Sequence, residues 1–182
     1  MSSLNFKGLA RIVLLAGLSA GLSLGLSACF RPLHGPTASG ESLQTALASI
    51  EVPEIKWPDS QARIGHYLRS EMIYALNGSG SDTPKRYLLN LSLTQTLTTP
   101  IVDSESGRAQ SATVGGTLAY TLTSPDGATV YTKGTAMSSA SYDRFEQRFA
   151  TIRAARDAEI RLARVLAEQV KTRLAAALAT RS

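Results

Sequence analysis

The chain has 182 residues, of which 19 are basic and 14 acidic, so its formal net charge is +5. That excess favours an anionic partner but is too small to indicate a nucleic-acid-binding protein. A single cysteine excludes an internal disulfide.

The N-terminal segment has the layout of a secretory signal peptide. Residues 1–11 carry two positive charges and no acidic side chain, and residues 12–26 contain only Leu, Ile, Val, Ala, Gly and Ser. This apolar run is too short, and too rich in Gly and Ser, for a permanent membrane-spanning helix. We therefore predict a cleaved leader over residues 1–28.

The leader ends in Leu26-Ser27-Ala28-Cys29, which resembles the lipobox of bacterial lipoproteins. The resemblance implies cleavage before Cys29, S-diacylglycerol on its thiol, and an N-acyl chain such as palmitate on the new amino terminus. Several acyl chains, at about 0.8 kcal/mol per buried methylene, form an anchor that hardly dissociates. An Asp directly after the lipidated cysteine resembles the signal that retains such lipoproteins in the inner membrane. This chain has Phe30 at that position, so the resemblance implies the outer membrane, with the domain on its periplasmic side. The alternative is a structural cysteine after an uncleaved membrane helix.

Removal of the leader leaves 17 basic and 14 acidic residues in a chain long enough for one domain with a real core. Residues 29–44 contain Pro32, Gly35 and Pro36, which prevent regular structure, and we interpret them as a linker between lipid and domain. Residues 45–182 are predicted to form a single domain.

The first half of that domain predicts one strand and one helix. Residues 49–52 alternate and end at Pro53, which indicates a short strand. Pro58-Asp59-Ser60 supplies a turn and a candidate N-cap for a helix over residues 61–76, where apolar side chains recur every three or four positions. Asn77-Gly78 is typical of a helix end.

A period of two then predicts three antiparallel strands with short turns, over residues 87–98, 112–122 and about 129–141. Turn residues separate them at 103–107 and 124–127. Apolar side chains occupy one face of the first two strands, whereas Thr and Ser dominate the other. Gly115-Gly116 lies within the second of these strands and predicts a β-bulge or a close backbone approach.

The last helix is predicted over residues 150–179, after an irregular stretch at 143–148. Its apolar stripe recurs every fourth residue, so we expect Leu166 and Val170 to be buried against the sheet. The predicted fold is α+β in β-α-β-β-β-α order: a four-stranded sheet with two helices packed on one face. Its other face would be rich in Thr and Ser, and either wet or covered by a partner.

The sequence offers no catalytic or metal-binding pattern. His34 and His66 lack further ligands at a suitable spacing, and there is no phosphate-binding glycine loop and no serine with a recognisable His and carboxylate. We therefore expect a non-enzymatic protein without metal or cofactor, apart from the lipid on Cys29.

Several segments, in this order behind the lipobox, resemble the lipopolysaccharide-assembly lipoprotein family LptE, in its alphaproteobacterial form. They are residues 29–35 (CFRPLHG), 50–53 (IEVP), 63–69 (RIGHYLR) and 154–159 (AARDAE). The resemblance implies an accessory subunit and plug of LptD, the outer-membrane β-barrel that inserts lipopolysaccharide, together with a role in barrel assembly. Only Cys29 is carried over as a functional residue.

The polar strand face suits the wet inner wall of such a barrel. Arg108 and Lys133 are candidate lipopolysaccharide contacts, since Arg and Lys commonly bind phosphate; each is otherwise an ordinary solvated strand charge. Two other functions stay open: a structural lipoprotein that binds a different envelope protein on the periplasmic side, and an envelope hydrolase.

Overall fold

The computed structural model describes residues 40–78, 80–99, 107 and 109–180. The predicted signal peptide, Cys29, most of the linker, Arg108 and most of the turn at 103–107 lie outside them. The described elements are α1 (Leu43–Ala48), β1 (Ile50–Glu51), a 3₁₀ turn (Asp59–Gln61), α2 (Ala62–Asn77), β2 (Tyr87–Thr98), β3 (Ser111–Thr123), β4 (Val130–Asp143) and α3 (Arg148–Ala179). The predicted α+β class and β-α-β-β-β-α order are confirmed, with the short helix α1 in addition.

The four strands form one mixed sheet in the order β1-β2-β3-β4. β1 pairs in parallel with the start of β2 over two residues, so α2 is the crossover between them. β2, β3 and β4 form the predicted antiparallel meander. We call the end of the sheet at Tyr87 and Thr123 the proximal end, and the end at Thr98, Ser111 and Asp143 the distal end.

Helix α1 begins inside the segment that we interpreted as linker. Its N-cap is Ser42, whose hydroxyl accepts a hydrogen bond from the Thr45 backbone N–H at 3.1 Å. Leu43, Ala46 and Leu47 are buried in the core. A helix of six residues is too short for its periodicity to be recognised in the sequence, so only the structure reveals it.

Helix α2 ends where predicted, but it begins differently. Neither Asp59 nor Ser60 caps it; they lie in the 3₁₀ turn, and the N-cap residue Gln61 makes no side-chain capping bond. The predicted cap is therefore wrong, because the preceding turn tightens directly into the helix. Upstream, the Trp57 indole lies against Gly65, where a Cβ atom would overlap the ring.

The core confirms the predicted alternation on the inner face of the sheet. Leu166 and Val170 are completely buried, as expected for the α3 stripe. They belong to one cluster with apolar residues of both long helices and of all four strands. Leu97 is the exception: it shares the predicted apolar face of β2, yet 62% of it is exposed at the distal end.

Two glycines of the sheet allow close packing. A Cβ atom on Gly116 would lie 3.1 Å and 3.3 Å from methyl groups of Leu166 and Leu162, so this glycine lets α3 approach the sheet. A Cβ on Gly134 would lie 2.7 Å from the Tyr120 hydroxyl, because the Tyr120 ring covers that position. Close approach at Gly116 is confirmed, and a bulge there is wrong, since the register of β3 shifts only between Leu122 and Thr123.

The two long helices are joined by an ion pair. Arg63 of α2 donates two hydrogen bonds to the carboxylate of Glu159 on α3, at 2.5 and 2.7 Å. Glu159 is only 8% exposed, so its charge depends on this partner. The hydrogen bond to Glu159 raises the pKa of Arg63.

Side chains of α3 also cover the free edge of β4. Arg161 and Gln169 donate to the backbone oxygens of Ser141 and Met137 at 2.9 and 3.2 Å, and Arg173 donates to the oxygen of Thr135. Acceptors that a neighbouring strand would otherwise use are thereby occupied. None of the helices in the described part of the chain combines the length and apolarity needed to cross a bilayer.

Candidate functional site

The outer face of the sheet is a broad surface of hydroxyl side chains that none of the described helices covers. Across the sheet, the register aligns these residues in rows: Asn90–Thr121–Lys133, Ser92–Ala119–Thr135, Thr94–Thr117–Met137, Thr96–Gly115–Ser139 and Thr98–Thr113–Ser141. Its charged strand residues, Lys133 and Asp143, lie towards opposite ends. We call this surface the hydroxyl face.

Hydroxyl groups on this face also contact one another across strands. Thr113 and Ser141 share a hydrogen bond of 2.8 Å, and the Thr96 hydroxyl occupies the space where a Cβ of Gly115 would lie. Met137, 63% exposed, is the large apolar side chain among them. The face therefore has little apolar area to bury in a dry interface, as predicted.

Lys133 is exposed on the hydroxyl face, near the proximal end and opposite Thr121. Arg108 lies outside the described residues. The chain just after it, at Gln110, leads into the distal end of β3 and accepts a hydrogen bond from the Arg144 backbone N–H at 2.8 Å.

The junction of β4 and α3 carries a second exposed surface. Phe145 is 54% and Phe149 71% exposed, and both stand among exposed arginines at 144, 148 and 153. The Arg153 guanidinium lies over the Phe149 ring, 5.8 Å from its centre. We call Arg144, Phe145, Arg148, Phe149 and Arg153 the Arg–Phe cluster.

Local structure holds this cluster in place. The Thr151 hydroxyl accepts from the Phe145 N–H at 2.9 Å and donates to the Phe145 oxygen at 3.0 Å, which folds the chain back onto the first turn of α3. That turn contains no acidic residue, and its N-cap Gln147 makes no side-chain capping bond. The positive end of the helix dipole therefore adds to the charge of the arginines.

Arginines beside exposed aromatic rings fit an anionic amphiphile. One guanidinium group can donate two parallel hydrogen bonds to a phosphate, and the aromatic rings offer apolar surface to acyl chains. Lys133 and Arg144 are eleven residue steps apart along β4 and its end, about 36 Å, so the two basic positions cannot contact one phosphate.

Sequence reasoning missed this cluster, because residues 143–148 were interpreted only as irregular. The available signal was the repeated Arg-Phe pair at 144–145 and 148–149. Elsewhere, His66 is exposed and meets the Tyr67 ring edge-on. Within the described ranges, no group of three or more His, Cys, Asp or Glu side chains is placed to hold a metal ion.

The model of the lipopolysaccharide-assembly family LptE matches residues 47–174. The chain belongs to this family. The match runs from the end of α1 to the last turns of α3, and so includes the whole sheet, α2 and the Arg–Phe cluster of this LptE-family protein.

Two solved structures have related folds. A candidate lipoprotein from Caulobacter crescentus CB15 is 25% identical, with a TM-score of 0.61, over 76% of this chain and 97% of that one. A minor lipoprotein from Acinetobacter baumannii is 10% identical, with a TM-score of 0.42, over 73% and 94% of the two chains. No curated protein matches the sequence.

Proposed function

We propose that this LptE-family protein is an outer-membrane lipoprotein, anchored through Cys29, that assists lipopolysaccharide assembly as the plug and accessory subunit of the LptD barrel. Membership of the lipopolysaccharide-assembly family over residues 47–174 carries the proposal. Its partners are then the barrel, lipopolysaccharide itself and the membrane that holds its anchor.

The hydroxyl face is the surface proposed to meet the barrel wall. The lumen of an outer-membrane barrel is polar and hydrated, and contacts to it need hydrogen-bonding groups rather than apolar area. The Thr and Ser rows of β2, β3 and β4 supply such groups. Because these contacts are many and individually weak, a single Thr→Ala change should have little effect on the complex.

The distal end is the proposed site for lipopolysaccharide. The Arg–Phe cluster there combines charge with exposed aromatic area, and the Arg144 backbone N–H donates to the oxygen of Gln110, which follows Arg108 by two residues in the sequence. Lys133, the other sequence-based candidate, belongs to the proximal end and would contact a separate phosphate. A charge-assisted contact is worth roughly 1.5–3 kcal/mol, so reversing two arginines should weaken binding by at least about tenfold.

The test is binding of the purified soluble domain, starting after Cys29, to lipopolysaccharide at two salt concentrations. Arg144→Glu/Arg148→Glu should reduce the affinity and its salt dependence while the thermal unfolding temperature stays unchanged. Lys133→Glu, measured alone and together with Arg108→Glu, shows how much the two lipid contacts predicted from the sequence contribute to the affinity. Equal affinity of all variants would remove every one of these residues from the lipid site.

Depletion in cells tests the wider function. Loss of this protein should reduce lipopolysaccharide at the cell surface, and the protein should purify with the barrel from detergent-solubilised outer membrane. Normal surface lipopolysaccharide after depletion would contradict the proposed function itself.

A further inference from the structure

One edge of the sheet has unpaired backbone groups along most of its length. The Arg144 N–H donates to the Gln110 oxygen at 2.8 Å, so the even-numbered residues of β3 bond to β4, and its odd-numbered residues bond to the even-numbered residues of β2. The odd-numbered residues of β2 therefore direct their backbone groups away from β3. The β2–β3 register has no shift, which carries this orientation on to Leu91, Leu93, Gln95 and Leu97. β1 ends at Glu51, opposite Leu88, and no other strand of the described residues lies beside them.

No backbone or side-chain hydrogen bond between described residues reaches these groups from the open side of β2. The distal half of the strand is also accessible on both faces. Thr96 and Thr98 are exposed on the hydroxyl face, and Leu97 is 62% exposed on the other. A second strand can therefore reach the edge without displacing a packed element there.

The opposite edge is protected. Arg161, Gln169 and Arg173 occupy three backbone oxygens of β4. Residues 89–98 of β2, in contrast, contain no charged residue and no proline, and no bulge interrupts them. Charges, proline and bulges are the devices that normally stop an edge strand from pairing, and β2 has none of them.

We propose that the β2 edge from Leu91 to Leu97 binds an extended segment of the barrel subunit by β-strand addition. This inference rests on the proposed function, because the barrel supplies the pairing segment. Along this edge, outward N–H and C=O groups recur at every second residue, about 6.6 Å apart. Another extended backbone presents its N–H and C=O groups at the same spacing and can therefore pair with them.

The side chains around the edge define the chemistry of that segment. An uncharged segment fits best, because the Leu and Thr side chains along this edge offer a charged residue no ion-pair partner. It alternates hydroxyl residues, which extend the hydroxyl face, with apolar residues that pack beside the exposed Leu97. Such a segment continues the sheet as a fifth strand.

Hydrogen exchange in the purified complex with the barrel subunit tests the pairing directly, with the free full-length lipoprotein as reference. The amides of Leu93, Gln95 and Leu97 should exchange at least about tenfold more slowly in the complex, as expected for one added hydrogen bond each. The amides of Met137 and Ser139 on the β4 edge should not change. Slowing at β4 without slowing at β2 would overturn the assignment.

A matched pair of variants separates backbone pairing from side-chain contact. Leu97→Pro and Leu97→Ala both remove the exposed side chain, but only proline removes the outward N–H. The proline variant should bind the barrel about tenfold more weakly than the alanine variant. Equal binding, together with unprotected amides in an intact complex, would overturn strand addition alone. Failure of the wild-type protein to form any complex would overturn the proposed function and this inference with it.

Discussion

Glu159 is a buried carboxylate whose charge is compensated from a single neighbouring helix. Arg63 forms two bonds to it, and half of the Arg63 side chain is exposed to solvent. Loss of Arg63 would leave the carboxylate desolvated without its partner. Because water can still approach from the Arg63 side, the cost falls below the 3–5 kcal/mol of a fully buried pair.

We predict that Arg63→Ala lowers the free energy of unfolding by about 1–2 kcal/mol. Arg164→Ala is the control, since Arg164 is mostly exposed and lies 3.6 Å from Glu71; it should cost less than about 0.5 kcal/mol. Urea denaturation of both variants measures the difference. A similar urea midpoint for the two variants would show that the Arg63–Glu159 pair stabilises the fold no more than an exposed ion pair does.

Leu166 gives a second prediction at this scale. Its side chain is completely buried and contacts the sheet above Gly116, so Leu166→Ala should cost about 2–5 kcal/mol. Its neighbour Val165 is 44% exposed, and Val165→Ala should be nearly neutral, because alanine also favours the helix. A loss of unfolding free energy below about 0.5 kcal/mol for Leu166→Ala would contradict burial of the α3 stripe.

Single residues were predictable where a pattern fixed their environment. Leu166 and Val170 follow from a four-residue repeat, which places side chains on one face whatever the rest of the chain does. Leu97 fits the strand alternation equally well and is nevertheless exposed, since its burial depends on how far the helices extend along the sheet. Phe145 and Phe149 were missed for the same reason: a phenylalanine in a sequence does not reveal that no element covers it.

At the scale of elements, the contacts between α3 and β4 illustrate what a pattern cannot supply. Arg161, Gln169 and Arg173 reach backbone oxygens that are 20, 32 and 38 residues away in the chain. Strand and helix periods indicate which face of each element is apolar, but not which polar side chains meet across the fold. The protection of this edge was therefore invisible before the structure.

Removing that protection should make the protein self-associate. In the triple variant Arg161→Ala/Gln169→Ala/Arg173→Ala, the outward oxygens of β4 become available to another chain. Sedimentation velocity should then show dimers or larger species at concentrations where the wild type is a single species. Arg156→Ala/Arg164→Ala, which removes two other arginines of α3 and so the same charge, is the control. A triple variant that sediments like this control would show that the side chains do not guard the edge.

The elements themselves were predictable to different degrees. Long alternating strands and the α3 repeat were recognised because many residues contribute to one signal. The six residues of α1 and the start of α2 depend on one or two capping contacts, such as that of Ser42, and these are decided by tertiary packing.

For the whole molecule, the lipobox resemblance makes a prediction independent of the fold. Cys29→Ala should abolish lipid attachment and leave the protein with an uncleaved leader, because the peptidase acts on the lipidated cysteine. Mass spectrometry of wild-type protein purified from membranes should show an acylated N-terminal Cys29. An unmodified mature terminus in the wild type would contradict the lipoprotein assignment.

The ion pair between Glu41 and Arg86 fixes the end of the domain at which the N-terminal segment enters the fold. Both guanidinium–carboxylate bonds measure 2.6 Å, and the bond to Glu41 raises the pKa of Arg86, so the chain enters the fold at the proximal end. The eleven residue steps from Cys29 to Gly40 span at most about 38 Å, and β2 adds about 36 Å. At full extension of the chain, the Arg–Phe cluster can therefore lie up to about 74 Å from Cys29, farther than the 40–45 Å thickness of a bilayer with its headgroups. A lipid anchor of the proposed kind on Cys29, held in one leaflet, would thus leave the Arg–Phe cluster within reach of the other leaflet.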